Sequence, residues 1–202
     1  LQQQKLEVEI QNINIEKDFL KSQLNPHFLF NTLNNLYGLS VKKDDSAPEV
    51  ILNLSDIMSY TLYESNSEKV SLEKEIDFIK NYFELEKMRF EKRLQTSIEV
   101  DQQLLKTPIL PLSIQTLVEN AIKHGIAQRK DGGIIQIQVQ RENGYMHTRV
   151  LNPGKLKTSG RQGLGLKNLS ERLQLQFNGK ASFELTEQNG ETISAIIKTP
   201  LP

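Results

Sequence analysis

Four stretches of the sequence gather residue types that do chemistry together. In LVENAIKHG (117–125), Glu119, Asn120, Lys123 and His124 interrupt an apolar run, and the i,i+4 pairs Glu119/Lys123 and Asn120/His124 are neighbours on a helix surface. Two readings are open. The stretch is either a solvated helix face closed by a C-cap at Gly125, or a site. Asn is a poor helix former and is costly to bury without a partner, so a partner such as a metal ion suits Asn120. LNPG (151–154) ends a run of strand character and GRQGLGL (160–166) opens a helical one. Glycines ahead of a helix N-terminus let backbone N–H groups close on a phosphate, although ordinary turn chemistry uses the same residues. The fourth stretch, KSQLNPHFLFNTLNNL (21–36), sets Pro26 before a lone His27. Proline inside a helix costs roughly 3 kcal/mol. It either kinks a continuous helix and turns the imidazole out of the seam, or it is the N1 residue of a new helix.

The bulk properties narrow the chemistry. The chain has 202 residues, with 25 Lys+Arg against 25 Asp+Glu, so no net field draws it to nucleic acid or to an anionic membrane. It has no cysteine, which excludes disulfides, thiolate metal sites and cysteine nucleophiles. No apolar run approaches the roughly 18 residues needed to span a bilayer. The chain begins at Leu1 rather than Met, so a fragment is expected, with any membrane attachment lying in a missing N-terminal region.

These groups need elements to position them. Leu6, Ile13, Leu20 and His27 are spaced by seven, as are Ile10, Lys17, Leu24 and Asn31, which predicts a coiled-coil seam entering the His27 segment. Phe30, Leu33 and Leu36 continue the apolar spacing. A polar turn follows at 41–50, with Ser46 or Asp45 as cap and Pro48 in the first turn of a helix over about 48–65. Two helices on a short loop predict an antiparallel hairpin, and two such hairpins make a four-helix bundle. A third helix over 70–94 opens with an imperfect capping box, Ser71-x-x-Lys74-Glu75, whose Glu falls one residue late. Beyond it, 96–100, 133–140, 145–151, 181–187 and 192–198 alternate apolar and polar residues as half-buried strands do, with ENG and QNGE as hairpin turns. Helices are expected at about 111–126 and 166–177. The predicted fold is α+β: a dimerising helical hairpin over 1–68, a connecting helix over 69–94, and over 95–202 an α/β sandwich whose mixed sheet has one covered and one solvated face. His147 lies on a strand and reads as structural.

In this order, LNPHFLFNTLNNL, LEKEIDFIKNYFELEKMRF, LVENAIKHGI and GLGLKNLSERL resemble the LytS-type sensor histidine kinases, whose ATP-binding domain is the GHKL fold. The resemblance covers nearly all of the chain from about Leu20. It implies ATP-dependent autophosphorylation of His27 and relay to an aspartate of a response regulator, in a homodimer at the cytoplasmic side of a bacterial inner membrane. It implies that Asn120 coordinates Mg²⁺ held by the ATP phosphates, with Lys123 and His124 nearby. Asn152 and Gly154 would meet adenine, Gly163 and Gly165 would close the nucleotide lid, and Asn168 would lie at the phosphates.

Some positions depart from the wider pattern. Asn stands at 152 where most of the superfamily has Asp, so the hydrogen bond to the adenine amino group lacks charge assistance. Thr116 occupies the place of the water-activating Glu of the hydrolytic relatives, one turn before Asn120, and Glu119, a candidate catalytic residue, is adjacent to Asn120 and rotated by about 100° from it on the helix. Phe28 follows His27 where many histidine kinases carry an acid, which leaves the base for His27 unnamed. Asn31, one turn after His27, either holds a water that helps dephosphorylate the regulator or fixes helix register as a polar seam residue. The alternative from another class is a catalytically silent dimeric scaffold with a degenerate nucleotide site.

Overall fold

A computed structural model describes residues 26–156 and 163–201 of the chain. The expected seam through Leu6, Ile13, Leu20 and Leu24 therefore lies outside the described residues, as does the segment that would distinguish a kink at Pro26 from a helix start.

Helix α1 (Pro26–Lys42) and helix α2 (Ala47–Ser59) form the expected hairpin. Ser46, one of the two residues expected to cap α2, holds the N-cap position. Ser46 makes no side-chain cap; instead Asp44 Oδ1 accepts from the Ser46 N–H and hydroxyl at 2.9 and 2.7 Å. The Ser46 contacts also hold the Asp44 carboxyl below its ordinary range. α2 widens into a π-type turn over Tyr60–Glu64, closed by Ser65 N–H to Tyr60 O at 3.0 Å. Only Phe28 and Thr32 of α1 are buried, and Phe30 and Leu33 face solvent.

Helix α3 (Leu72–Phe90) is the spine of the molecule. Its Ser71 cap accepts from Lys74 N–H at 3.3 Å, and the chain leaves the helix at Glu91, earlier than the expected 94. Its buried face takes Phe28 of α1 onto Tyr82, ring centroids 4.7 Å apart, and Tyr60 of the π-type turn after α2 onto Phe78 at 4.6 Å. A short ladder absent from the sequence reading, β1 (Val70–Ser71) with β3 (Pro108–Ile109), ties the start of α3 to the segment that leads into the next helix.

The rest is the expected sandwich. Strands β2 (Leu94–Val100), β4 (Gly133–Glu142), β5 (Tyr145–Pro153), β6 (Ser182–Gln188) and β7 (Thr192–Pro200) form one sheet in the order β2-β4-β5-β7-β6. Only the β2–β4 pair is parallel, so the sheet is mixed. Both hairpin turns carry the required left-handed pair, Asn143–Gly144 and Asn189–Gly190. Helices α4 (Ser113–His124) and α5 (Leu164–Gln176) contribute Leu117, Val118, Ala121, Leu169 and Leu173 to a core closed by Ile135, Ile137, Val150 and Ile197 of the sheet. His147 is half-buried on β5, on a strand as expected, with Nδ1 3.8 Å from Glu142 Oε2.

Candidate functional site

The site begins with how α4 is held. Leu112, just before the helix, is left-handed at φ 59, a conformation that costs a non-glycine residue of order 1–3 kcal/mol. Glu75 of α3 over-determines it. That fully buried carboxylate accepts from Leu112 N–H at 2.9 Å, Ile114 N–H at 3.0 Å and Gln115 N–H at 3.4 Å, and from the Tyr60 hydroxyl. An anion among the free amides of a helix N-terminus is well placed. Burial still outweighs these donors and raises the Glu75 carboxyl, while burial raises the Tyr60 hydroxyl as well. One carboxylate thus joins the π-type turn after α2, α3 and the start of α4.

The far end of α4 borders a cleft of ≈ 660 Å³. Its walls include His27 from α1, Tyr82, Glu86 and Arg89 from α3, Glu119, Asn120, Lys123 and His124 from α4, and Gly163 to Leu166 at the start of α5. The α4 helix is amphipathic along the lines expected: Leu117, Val118, Ala121 and Ile122 are buried, Glu119 and Asn120 are partly open, and Lys123 and His124 are exposed. Glu119 Oε1 accepts from Gln115 Nε2 at 3.2 Å, and His124 Nδ1 lies 3.4 Å from Gln128 Nε2. Thr116 also lines the cleft, its hydroxyl donating to Leu112 O at 2.8 Å. His27 is exposed, with Asn31 Nδ2 at 3.2 and 3.3 Å from its two ring nitrogens. That amide sits on the side of α1 that carries the imidazole.

Other expected site residues lie elsewhere. Asn152 and Gly154 are not on the cleft wall; Asn152 is 3% exposed and its Nδ2 donates to Pro153 O at 2.9 Å. Asn152 lies beside Gly125, where a Cβ would meet Asn152 Nδ2 at 2.6 Å and Ala121 O at 2.5 Å. Gly125 is therefore needed for close approach of α4 to β5, not as a left-handed cap, since its φ is −97. Gly154, at φ +156, would bring a Cβ to 3.1 Å from Ile193 Cδ1. Asn168 is exposed on α5, away from the cleft lining. Among the described residues no group of three His, Asp or Glu side chains could cage a metal ion by itself. Asn120, a neutral oxygen donor on the cleft wall, fits an Mg²⁺ that keeps substrate phosphates as its other ligands.

Sequence reasoning missed Tyr82, Glu86 and Arg89. The signal was available: in LEKEIDFIKNYFELEKMRF, Glu75 and Glu86 fall in phase with Leu72, Ile79, Tyr82 and Phe90, so two acids sit on the buried face of a helix.

The profile of the family described as "Histidine kinase" matches residues 15–94. The "putative uncharacterized protein YwpD" of Bacillus subtilis (strain 168) is 30% identical over 200 residues, which cover 93% of this chain and 71% of that one. The chain belongs to the histidine kinase family. Sensor histidine kinase BtsS of Escherichia coli (strain K12) is 34% identical over 164 residues, covering 80% of this chain and 29% of BtsS. Sensor protein LytS of Staphylococcus saprophyticus is 31% identical over 193 residues, 88% of this chain and 33% of LytS. The chain thus spans a third or less of the length of these sensor kinases, and the LytS-type resemblance holds. Among solved structures, the catalytic domain of histidine kinase ThkA superposes with a TM-score of 0.52 at 17% identity, covering 65% of this chain and 93% of that domain. It shares the fold of this family member. No helix among the described residues is long and apolar enough to cross a membrane.

Proposed function

We propose that this kinase-family chain phosphorylates its own His27 from ATP and passes the phosphoryl group to an aspartate of a response regulator. The observation that carries the reading is one cleft bordered by both His27 and the Asn120–Lys123 face of α4. Transfer of this kind needs positioning and charge neutralisation more than covalent help from the protein. Lys123 and His124 are exposed at the cleft wall, and α5 opens through Gly163 and Gly165, whose amides lie where a helix N-terminus attracts phosphate. Asn120 would hold Mg²⁺, which supplies charge neutralisation at the phosphates when bound. Asn31 restrains the imidazole at its exposed edge. Adenine would reach the turn at Asn152 and Gly154 behind Gly125. In domain terms, 1–68 would dimerise and carry His27, 69–94 would connect, and 95–202 would bind nucleotide.

The silent-scaffold reading draws on Asn152, whose amide is already engaged with Pro153 O. Incubation with γ-labelled ATP and Mg²⁺ separates the two. Label on the wild type and none on His27→Gln supports the kinase reading, and an unlabelled wild type overturns it.

A further inference from the structure

Glu86 is a carboxylate that the reaction as described so far does not use. It projects from α3 onto the cleft wall that also carries His27, yet it is only 3% exposed. Its Oε2 makes no hydrogen bond, and Arg89 Nη1 lies 3.6 Å from it. A charged oxygen withdrawn from water without a donor is costly, and fold alone rarely leaves one so placed. The residue that follows His27 in the chain cannot serve it. Phe28 is turned inward and stacked on Tyr82, one turn before Glu86, so the contact that fixes α1 also sets His27 against this part of α3.

We propose that Glu86 is the group that takes the proton of His27 as the imidazole is phosphorylated. The proposal rests on the kinase reading above. One ring nitrogen gives its lone pair to the γ-phosphorus, the bond from that phosphorus to the bridging oxygen breaks, and its electron pair leaves on ADP. The proton on the other ring nitrogen passes to the Glu86 carboxylate, directly or through one water, and the phosphoimidazole is left neutral in the ring. The described ionisable groups around Glu86 are Tyr82 and Arg89 on its own helix, His27 on α1, and Glu119, Lys123 and His124 on α4; α5 brings only Gly163 to Leu166. Burial raises the Glu86 carboxyl, Glu119 adds to this, and Arg89 and Tyr82 oppose it. Such a carboxylate is a better proton acceptor than an exposed one. Glu119 is the competing carboxylate, but it is more open and already accepts from Gln115.

The test measures labelling rates at saturating ATP and Mg²⁺ across pH for the wild type, Glu86→Gln, Glu86→Asp and Glu119→Gln, with ATP affinity measured separately by calorimetry. Glu86→Gln should slow labelling by about 10²-fold or more with ATP affinity unchanged, as expected for loss of a general base. Its acid limb should become shallower, because one of the two groups that must be deprotonated is gone, and Glu86→Asp should recover part of the rate. Wild-type labelling rates in Glu86→Gln, a loss matched by lost ATP affinity, or flattening by Glu119→Gln alone would overturn the assignment while leaving the kinase reading intact. A wild type that never labels His27 would overturn both.

Discussion

Asn120 and Asn152 are both amides in a predominantly apolar setting, and the structure gives them different work. Asn120 is partly open on the cleft wall, so Asn120→Ala should abolish autophosphorylation while leaving thermal unfolding within about 0.5 kcal/mol of wild type, as for a surface change. Labelling with ATP and calorimetry on one preparation check this. Asn152 is buried, and its Nδ2 donates to Pro153 O. An aspartate there would set an oxygen against that carbonyl, so Asn152→Asp should lower ligand-free stability by about 1–3 kcal/mol. If the turn meets adenine, ATP should restore more stability to this variant than to wild type, because the new carboxylate accepts with charge assistance. Thermal melts with and without ATP decide it. Glu86 supplies a pH test. Its carboxyl is raised above the ordinary 4.5, so the native chain holds that proton more tightly than the unfolded one. The stability this contributes is full below the ordinary value and is lost as pH rises through the raised one. Glu86→Gln removes that loss, so denaturant titrations should show the variant gaining on wild type as pH rises from about 4 to 8.

At the scale of elements, α3 explains why some of the site was legible and some was not. The helix itself, its Ser71 cap and the strand alternation beyond it follow from local period and turn chemistry, which a single sequence carries. Asn120 and His27 stood out because each contradicts its apolar surroundings. Glu75 and Glu86 did not, because a charged residue on a helix reads as a solvated one until its phase is checked against Ile79 and Tyr82. The short β1–β3 ladder joins residues far apart in sequence and has too few residues to show a period. Nor could sequence spacing show that Asn168 is not among the residues lining the cleft. Glu75 shows what such long-range contacts are worth. Glu75→Ala would leave Leu112, Ile114 and Gln115 amides and the Tyr60 hydroxyl without their acceptor, and Leu112 held left-handed without support. The expected loss is at least about 3 kcal/mol, measured by chemical denaturation. Hydrogen exchange should rise first at the start of α4.

The whole molecule leaves one apolar surface unaccounted for. Phe30, Leu33, Tyr37 and Val41 recur at helical spacing along α1, with Tyr37 72% and Phe30 68% exposed, and Ile51, Leu52 and Tyr63 are exposed on α2 and the turn after it. A hairpin that buries Phe28 and Thr32 inward while presenting such a stripe outward is suited to meet a second hairpin, as the expected four-helix bundle requires. A second copy of this chain is the natural occupant, since a two-fold interface sets the same patch against itself. The heptads of residues 1–24 would extend the same seam. The two contributions can be separated. Leu33→Asp with Tyr37→Asp places charge in the stripe without touching the Phe28–Tyr82 stack that holds His27 at the cleft. The double variant should sediment as a monomer in analytical ultracentrifugation at concentrations where wild type is a dimer. Its far-ultraviolet circular dichroism should be unchanged, because neither side chain is part of the core. If it remains a dimer, association comes from the heptads ahead of Pro26 instead. Labelling of the monomer then bears on direction: the cleft joins His27 and Asn120 of one chain, so the monomer should still label itself, at a rate independent of protein concentration.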